Sequence, residues 1–247
     1  KMNAAMVRGY QGKNIKDKCQ LAACGKHFAA YGGAEAGRDY YTVELSERTL
    51  RQSYLPAYKE ALDANAKLIM TSVNTLNQVP STANKWLMRD ILRKEWGFDG
   101  VLISDYGALK ELVPHSIAKD EEESALLSIN AGVDIDMMSL SYIRNLKPLI
   151  ESGKISESLV DECVWRILVL KNELGLFENP YKDADQNEQE KLCLCNEHRA
   201  LARQAAAETF VLLKNENKIL PLDSSKKQKV AFIGPCAQSH EVFGSWS

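Results

Sequence analysis

The sequence predicts an α/β fold in which the strands of a mostly parallel sheet alternate with helices along 247 residues. The stretch Val101–Ile103 is apolar without polar alternation, which is typical of a strand covered on both faces. Helical patterns at 85–95 and 120–131 supply covering layers on either side of it. Similar units recur with no hairpin signal between strands, which favours right-handed crossovers and allows either a doubly wound sheet or a barrel.

The composition is that of an ordinary globular enzyme and excludes several other classes. Hydrophobic residues make up 45% of the chain and charged residues 26%. A net charge of -2 gives no reason to expect binding to nucleic acid or to an anionic membrane. No apolar stretch approaches the ~18 residues of a membrane span. The six cysteines lack zinc-like spacing, so we expect buried free thiols and neither a metal nor a cofactor.

The first elements follow from periodicity and glycine placement. Residues 3–11 predict a helix that ends at Gly12, and the apolar stretch 21–24 predicts a strand that leads into Lys26 and His27. The glycine-rich stretch 31–41 predicts a loop long enough to shape a site. A helix then begins after Ser46, with a kink at Pro56.

The central elements repeat the pattern. Residues 67–73 predict a strand, residues 74–78 a polar loop, and Asn84 caps a helix that ends at Gly97. After the strand at Val101–Ile103, Asp120 caps a helix whose acidic first turn suits the helix dipole. A strand at 133–137 and helices at 141–151 and 156–174 complete the series.

The composition changes after Gly175, and this predicts a domain organisation in three parts. Residues 1–175 are interpreted as a partial (β/α)8 barrel, because four strand–helix units are too few to close eight strands. Residues 176–215 form a linker and a connecting helix over 198–211. Residues 216–247 begin a second α/β domain with a buried strand at 230–235. Because the sequence starts in a helical pattern and stops after a fresh strand, we expect an internal fragment of a longer protein.

Asp105 is the first candidate for chemistry. It follows the apolar strand Val101–Ile103 directly, and α/β barrels place their catalytic groups at the carboxyl ends of their strands. We therefore interpret Asp105 as a catalytic nucleophile. The alternative is a residue that caps a helix or ends the strand in a turn, since aspartate is common in turns.

Lys26 and His27 form the second candidate group, at the predicted end of another strand. If the two strands are parallel neighbours, these side chains meet Asp105 at one edge of the sheet. A cation beside the carboxylate would help keep it ionised. The alternative is a solvated lysine beside a structural histidine.

Two further pairs of ionisable residues favour structural roles. Arg38 and Asp39 are interpreted as a local ion pair in the glycine-rich loop. Asp134 and Asp136 share one face of their strand, where helix capping or loop fixing is the favoured role.

Several motifs, in the right order, resemble glycoside hydrolase family 3. The later motifs resemble that family's passage from a barrel to a second domain, and the closest likeness is to its bacterial periplasmic or secreted β-glucosidases. The motifs are KHFAAYG at 26–32, the strand 68–73 with Asn74 and Asn77, WGFDG at 96–100, SDYG at 104–107, AGVD at 131–134, GLF at 175–177, LLKNE at 212–216, LPL at 220–222 and IGP at 233–235.

The resemblance implies a retaining, exo-acting β-glycosidase, most simply a β-glucosidase that releases terminal β-linked glucose from oligosaccharides or glucosides. The aspartate of the family's nucleophile motif corresponds to Asp105, which would form a covalent glycosyl-enzyme. The lysine–histidine pair corresponds to Lys26 and His27, which would bind hydroxyl groups of the sugar. Tyr106, next to the nucleophile, is also assigned to substrate binding. β-Xylosidase or mixed specificity is the nearest alternative.

The resemblance also carries departures and gaps. Family members of the two-domain branch take their acid/base glutamate from the second domain, so no residue of this chain is assigned that role, and we expect this piece alone to be inactive. Residues 29–32 lack the proline and second histidine of the single-domain N-acetylglucosaminidase branch. Val73 replaces a tyrosine that many relatives carry, and Tyr106 stands where tryptophan or histidine is common.

The resemblance further implies a saccharide or glucoside substrate, a periplasmic or secreted location, and no nucleic-acid or membrane partner, and it allows a homodimer of the full-length protein. Two interpretations from other classes stay open. One is a non-catalytic, sugar-binding or structural relic of the family, and the other is an unrelated Schiff-base aldolase that uses Lys26. The aldolase interpretation leaves Asp105 without a role.

Overall fold

A computed structural model describes residues 1–182 and 185–239 of the chain. It divides the chain into two compact units, Lys1–Ala184 and Asp185–Ser247. The boundaries predicted at residues 175 and 215 differ from this division and stay a prediction about the domains of the protein. Among the described residues, no helix combines the length and the apolar character needed to cross a membrane.

The first unit consists of alternating helices and short strands. Its strands are β1 (Cys24–Phe28), β2 (Leu68–Thr71), β3 (Thr75–Leu76), β4 (Val79–Pro80) and β5 (Val101–Ile103). Its helices are α1 (Met2–Gln11), α2 (a run of three segments, Glu47–Thr49, Leu50–Tyr54 and Leu55–Asp63), α3 (Trp86–Glu95), α4 (Ala108–Glu111), α5 (Glu121–Ala131), α6 (Ser141–Glu151) and α7 (Glu157–Glu173).

The main sheet is parallel, as predicted, with the strand order β1–β2–β5. Leu68 pairs with Cys24 on one side and with Val101 on the other. Ile103 forms one further parallel bridge to Ile135. The backbone amide of Asp134 also donates to the carbonyl of Leu102 at 2.7 Å. Four consecutive chain segments therefore lie side by side in one direction, each reached through a helix.

The core lies between this sheet and the helices packed on it. Phe28, Ile69 and Leu102 come from the strands, and Leu87 and Ile91 come from α3, all of them at most 1% exposed. The apolar positions of α3 recur every three to four residues, so one face of the helix is buried while charged residues occupy the other. This packing holds the strand ends in place.

Three predicted helix starts are confirmed at the level of hydrogen bonds. The side chain of Asp120 accepts from the amide of Glu123 at 2.9 Å, and that of Asn84 accepts from the amide of Leu87 at 3.0 Å. Ser156 caps α7 in the same way. Each cap satisfies an amide that the first helical turn leaves unpaired.

Four local predictions differ from the structure. The first strand begins at Cys24 and not at Leu21, so Lys26 and His27 lie inside β1, where the register with β2 shifts between Gly25 and Phe28. At 133–137 a single bridge forms in place of a full strand. The segment read as a polar loop contains the short antiparallel hairpin β3–β4. In α2, a wider helical turn spans Leu50–Tyr54, and Pro56, where a kink was expected, lies in the first turn of the next segment, Leu55–Asp63.

The second unit contains α8 (Gln186–Leu192) and α9 (Asn196–Glu208) within its described residues. The helix predicted at 198–211 is thus confirmed with shifted ends. The strand predicted at 230–235 is not formed, since no described segment supplies the hydrogen-bonding partner that a strand needs. Residues 240–247, the last part of the predicted second domain, lie outside the described residues.

The six cysteines are free, as predicted. Cys163 on α7 is buried and Cys24 on β1 is half-buried. Burial raises the pKa of Cys24 to about 11 and that of Cys163 to about 12, so both thiols stay protonated at neutral pH. Cys19, Cys193 and Cys236 are exposed, unlike the buried thiols that the sequence favoured.

Candidate active site

Asp105 stands directly beyond the carboxyl end of the apolar strand β5, as the sequence predicts. Val101 and Leu102 are completely buried in the core. Ser104, directly before Asp105, is also completely buried. The backbone amide of Asp105 points to the hydroxyl of Thr71, at the end of the neighbouring strand β2, at 3.4 Å. Two adjacent strand ends therefore hold the backbone of Asp105.

The Asp105 carboxylate has one well-held oxygen and one oxygen that faces the site. The amide of Tyr106 donates to Oδ1 at 2.7 Å. The Nε2 atom of His27 lies 3.5 Å from Oδ2. The carboxylate side chain is 18% exposed, so it is shielded from bulk water but remains within reach of a ligand.

His27 is the predicted site residue that the fold brings to Asp105. Tyr31 packs edge-on against its ring, with centroids 5.2 Å apart at 85°, and the hydroxyl of Tyr58 donates to its backbone carbonyl. Burial lowers the pKa of His27, although the charge of Asp105 opposes this shift. The imidazole is therefore neutral at pH 7, where one nitrogen donates and the other accepts hydrogen bonds.

Lys26 and Tyr106 are placed differently from His27. Lys26 is exposed, and within the described part of the chain it forms no ion pair with Asp105. Its side chain borders a groove of about 550 Å³ between α1, β1 and α2. It is close enough that its charge contributes to lowering the pKa of His27. The side chain of Tyr106 is 52% exposed beside the nucleophile.

Buried hydroxyl groups of Ser104 and Thr71 hydrogen-bond to the backbone of Asp105, and the sequence analysis did not identify them. The hydroxyl of Ser104 donates to the carbonyl of Asp105 at 2.9 Å and accepts from the amide of Met137 at 2.8 Å. The hydroxyl of Thr71 is 2.9 Å from that of Thr82. The only sequence signal for them is that hydroxyl residues follow apolar strands at both places.

The loop after β1 supplies a second set of missed residues. The hydroxyl of Tyr31 donates to the carboxylate of Asp39, and burial together with this carboxylate raises the pKa of Tyr31. Burial also raises the pKa of Tyr40, with the charges of Asp39 and Asp105 adding to the shift. The guanidinium of Arg38 lies 5.8 Å from the ring centre of Tyr41. The predicted ion pair between Arg38 and Asp39 is wrong within the described residues, because each side chain faces an aromatic partner.

Asp136 has the helix-capping role that the sequence favoured, whereas Asp134 is structural in a different way, as the shared partner of two arginines. The Asp134 side chain is fully buried and accepts from Arg93 and Arg166, each at 2.8 Å. The carboxylate of Asp136 accepts from the amide of Tyr142 in the first turn of α6, at 3.2 Å.

The described residues contain no cluster of three or more histidine, cysteine, aspartate or glutamate side chains that could hold an ion. The arrangement offers a shielded carboxylate beside a neutral imidazole, which suits nucleophilic attack on an electrophilic carbon.

A family model described as the N-terminal domain of glycosyl hydrolase family 3 matches residues 1–170. This range contains Asp105, Lys26, His27 and Tyr106, which are the four predicted site residues.

Two curated proteins illustrate the similarity in sequence. The chain is 41% identical over 250 residues to a periplasmic beta-glucosidase of Salmonella typhimurium. The aligned region covers 100% of this chain and 32% of the relative. It is 36% identical to a putative beta-xylosidase of Formosa agariphila, over 93% of this chain and 31% of the relative. The chain thus spans about a third of the length of the relatives it matches.

A solved structure shows the same relation in three dimensions. The beta-glucosidase of Listeria innocua in complex with glucose is 52% identical, with a TM-score of 0.85 over 90% of this chain and 31% of that one.

Proposed function

We propose, from the premise that the chain belongs to glycosyl hydrolase family 3, that it carries the nucleophile of a retaining, exo-acting β-glucosidase. Its parallel strands and covering helices form the later half of a (β/α)8 barrel. The full-length enzyme would release terminal β-linked glucose from oligosaccharides or glucosides.

One observation carries the proposal. The Asp105 carboxylate is anchored through Oδ1 by the amide of Tyr106, while Oδ2 stands 3.5 Å from the neutral imidazole of His27. A carboxylate buried for structure would have all its acceptor sites filled. Here one oxygen is positioned, and among the described residues no amide or hydroxyl donates to the other, which can approach an anomeric carbon.

The reaction that fits this geometry is a double displacement. Oδ2 of Asp105 attacks the anomeric carbon, the bond to the leaving oxygen breaks, and a covalent glycosyl-enzyme forms. A second carboxyl group, about 5–5.5 Å away in retaining enzymes, protonates the leaving oxygen and later takes a proton from the attacking water. We assign no residue of this chain to that second role.

The other predicted site residues would bind the sugar. The neutral His27 imidazole donates or accepts one hydrogen bond to a hydroxyl beside the reacting carbon. Lys26 would reach a hydroxyl with its ammonium group, and the exposed ring of Tyr106 offers an apolar face to a sugar ring.

β-Xylosidase is the second candidate, and the similarity to a putative beta-xylosidase favours it over other glycone specificities. A non-catalytic, sugar-binding protein is the candidate from a different class. A binding protein could use the same carboxylate to accept hydrogen bonds from sugar hydroxyls, but it would form no covalent adduct with the sugar.

Trapping with 2-deoxy-2-fluoro-β-D-glucosyl fluoride tests the proposal on the full-length protein. We expect a stable adduct, with the label on the peptide that contains Asp105 after proteolysis and mass spectrometry. Labelling by the corresponding 2-deoxy-2-fluoro-β-D-xylosyl fluoride, and not by the glucosyl fluoride, would favour a β-xylosidase. Turnover of a glucoside without a label on Asp105 would refute the nucleophile assignment.

The domain layout and the cellular location are further proposals. The predicted boundaries near residues 175 and 215 are tested by limited proteolysis of the full-length protein. A periplasmic or secreted location follows from the resemblance to the Salmonella relative and is tested by cell fractionation. The homodimer allowed by the resemblance is tested by light scattering.

A further inference from the structure

The pairing of β1 with β2 is irregular in the stretch that contains His27. Gly25 pairs with Ile69, and the next pair along the two strands is Phe28 with Thr71. β1 therefore advances by three residues while β2 advances by two, so β1 carries one extra residue there. An extra residue of this kind interrupts the regular hydrogen bonds of the sheet and changes the direction in which a side chain points.

A tyrosine from the neighbouring helix binds the backbone at this irregularity. The hydroxyl of Tyr58, in the Leu55–Asp63 segment of α2, donates to the backbone carbonyl of His27. This hydrogen bond satisfies a polar backbone group in a half-buried place, where an unpaired carbonyl would be unfavourable. Burial raises the pKa of Tyr58 to about 12, so its hydroxyl keeps the proton that it donates at neutral pH.

The ring of Tyr58 is itself held in place. It packs edge-on against Phe28, with ring centroids 5.0 Å apart at 85°. Phe28 is completely buried and packs in turn against Trp96, at 5.9 Å between centroids. Leu55 and Ala61, three residues before and after Tyr58, are also buried and seat the helix on the core. The hydroxyl of Tyr58 therefore occupies a fixed position from which it can fix the carbonyl of His27.

The backbone of His27 carries the imidazole that faces the nucleophile. Nε2 lies 3.5 Å from Oδ2 of Asp105, and Tyr31 packs on the imidazole ring. Those contacts act on the ring, whereas Tyr58 acts on the backbone to which the ring is attached. A binding site works only when its groups are held within about 0.5 Å of the productive geometry, so a loosened backbone at His27 would weaken its hydrogen bond to a sugar.

We propose that Tyr58 is a positioning residue, which holds His27 beside Asp105 through the hydrogen bond to its backbone carbonyl. Tyr58 acts through His27 and not on the sugar. The inference rests on the proposed glycosidase function and adds the residue that fixes the geometry of this site.

Tyr142 provides a matched control. Its buried hydroxyl also donates to a backbone carbonyl, that of Val133, at 2.8 Å. Tyr58→Phe and Tyr142→Phe each remove one hydroxyl and keep the ring. The carbonyl that loses its donor belongs to a predicted site residue only in Tyr58→Phe.

The first experiment is a double-mutant cycle on the full-length enzyme, with hydrolysis of an aryl glucoside as the measurement. For Tyr58→Phe we expect kcat/KM to fall about threefold to tenfold, the scale of one hydrogen bond. Tyr142→Phe should lower the midpoint of thermal unfolding and leave kcat/KM unchanged. In the His27→Ala background Tyr58→Phe should have no further effect on kcat/KM, because changes in two residues that act through one contact are not additive.

The second experiment reads the imidazole directly and does not depend on turnover. The NMR signals of the His27 ring, assigned by their loss in His27→Ala, should shift in Tyr58→Phe and stay in place in Tyr142→Phe. Unchanged signals in Tyr58→Phe, or a decrease in kcat/KM that persists in the His27→Ala background, would overturn the proposed role of Tyr58. Absence of glucoside hydrolysis by the unmodified enzyme would instead refute the β-glucosidase proposal, and the NMR comparison would still decide whether Tyr58 positions His27.

Discussion

Asp105 lies just beyond the strand β5, and Asp134 lies in the segment that runs beside β5 in the same parallel sheet. The two carboxylates nevertheless differ in burial and in the number of their partners. The Asp134 side chain is fully buried, and two guanidiniums and the amide of Leu102 bind its two oxygens at 2.7–2.8 Å. Asp105 is 18% exposed and has one amide and one imidazole nearby. The comparison shows how one residue type acts as structure in one place and is available for chemistry in the other.

The difference comes from which element covers each carboxylate. Arg93 on α3 and Arg166 on α7 reach the same point on the side of the sheet and enclose Asp134. Asp105 follows the carboxyl end of β5, and among the described residues no guanidinium pairs with its carboxylate. Filled acceptor sites stabilise the fold, whereas a free acceptor site is what a nucleophile requires.

The largest expected effect is on catalysis by Asp105→Gly. Without its nucleophile the full-length enzyme should lose about 10⁴-fold or more in kcat, the scale seen when a member of a catalytic unit is removed. Because Asp105 is not part of the core, the midpoint of thermal unfolding should change little. The measurement is hydrolysis of an aryl glucoside, with sodium azide added to restore activity and yield the α-glucosyl azide.

Asp99→Asn provides the control for this prediction. Asp99 is an exposed aspartate just before the same strand, at the opposite end from Asp105. Its substitution should leave kcat unchanged. Azide rescue that gives the β-azide, or full activity of Asp105→Gly without azide, would contradict the role of Asp105.

The second prediction is a loss of stability in Asp134→Asn. It leaves the charges of Arg93 and Arg166, whose side chains are 8% and 14% exposed, without their shared partner. Breaking a buried pair in this way costs about 3–5 kcal/mol of unfolding free energy. Urea unfolding measures the loss, while kcat per folded molecule should be retained.

An exposed aspartate supplies the control for Asp134. Asp90 pairs with Lys94 on the surface of α3 at 2.7 Å, with its side chain 45% exposed. Asp90→Asn should cost less than about 1 kcal/mol, as for other surface pairs. Equal losses for the two variants would mean that the burial of Asp134 does not set its contribution.

The contrast between the two aspartates was only partly readable from the sequence. Apolar runs and helix caps predicted the strands, the helices and the place of Asp105, because these depend on local periodicity. The sequence also favoured a structural role for Asp134. It could not show that Arg93 and Arg166 are the partners, since these lie on helices 41 and 32 residues away along the chain.

The position of His27 shows the same limit. His27 lies close to Asp105 only because of the register in which β1 and β5 pair with β2. The sequence placed the start of β1 three residues too early. The interpretation of Arg38 and Asp39 failed for a related reason. Adjacent residues in a loop point in directions that the turns decide, and here the turns direct each of them to a tyrosine.

A third prediction concerns the buried link below the nucleophile. Ser104→Ala removes the hydroxyl that joins the carbonyl of Asp105 to the amide of Met137, and it leaves that half-buried amide without this partner. We expect a loss of about 1–3 kcal/mol in the free energy of unfolding. The position of Asp105 should also loosen, so kcat on an aryl glucoside falls while Ser104→Thr, which keeps a hydroxyl, retains more activity.

Ser128 is a matched control, because its buried hydroxyl has no hydrogen-bond partner among the described residues. Ser128→Ala should therefore be neutral or stabilising. A Ser104→Ala variant that unfolds at the same urea concentration as Ser128→Ala would show that the link contributes nothing.

The smallest expected effect is a pH dependence of stability from His27. Burial holds its pKa below the ordinary value of about 6.5, while Asp105 and Asp39 oppose this shift and Lys26 adds to it. A depressed histidine pKa means that the unfolded chain takes up a proton first as the pH falls. The contribution of His27 is therefore present in full above about pH 6.5 and is lost as the pH falls toward the lower pKa of the folded state. Thermal unfolding from pH 8 to pH 5 should show a smaller acid-side decrease for His27→Gln than for the unmodified protein. Parallel curves for the two proteins would mean that the pKa of His27 is the same in the folded and unfolded chains, so that the carboxylate of Asp105 fully offsets the burial of the imidazole.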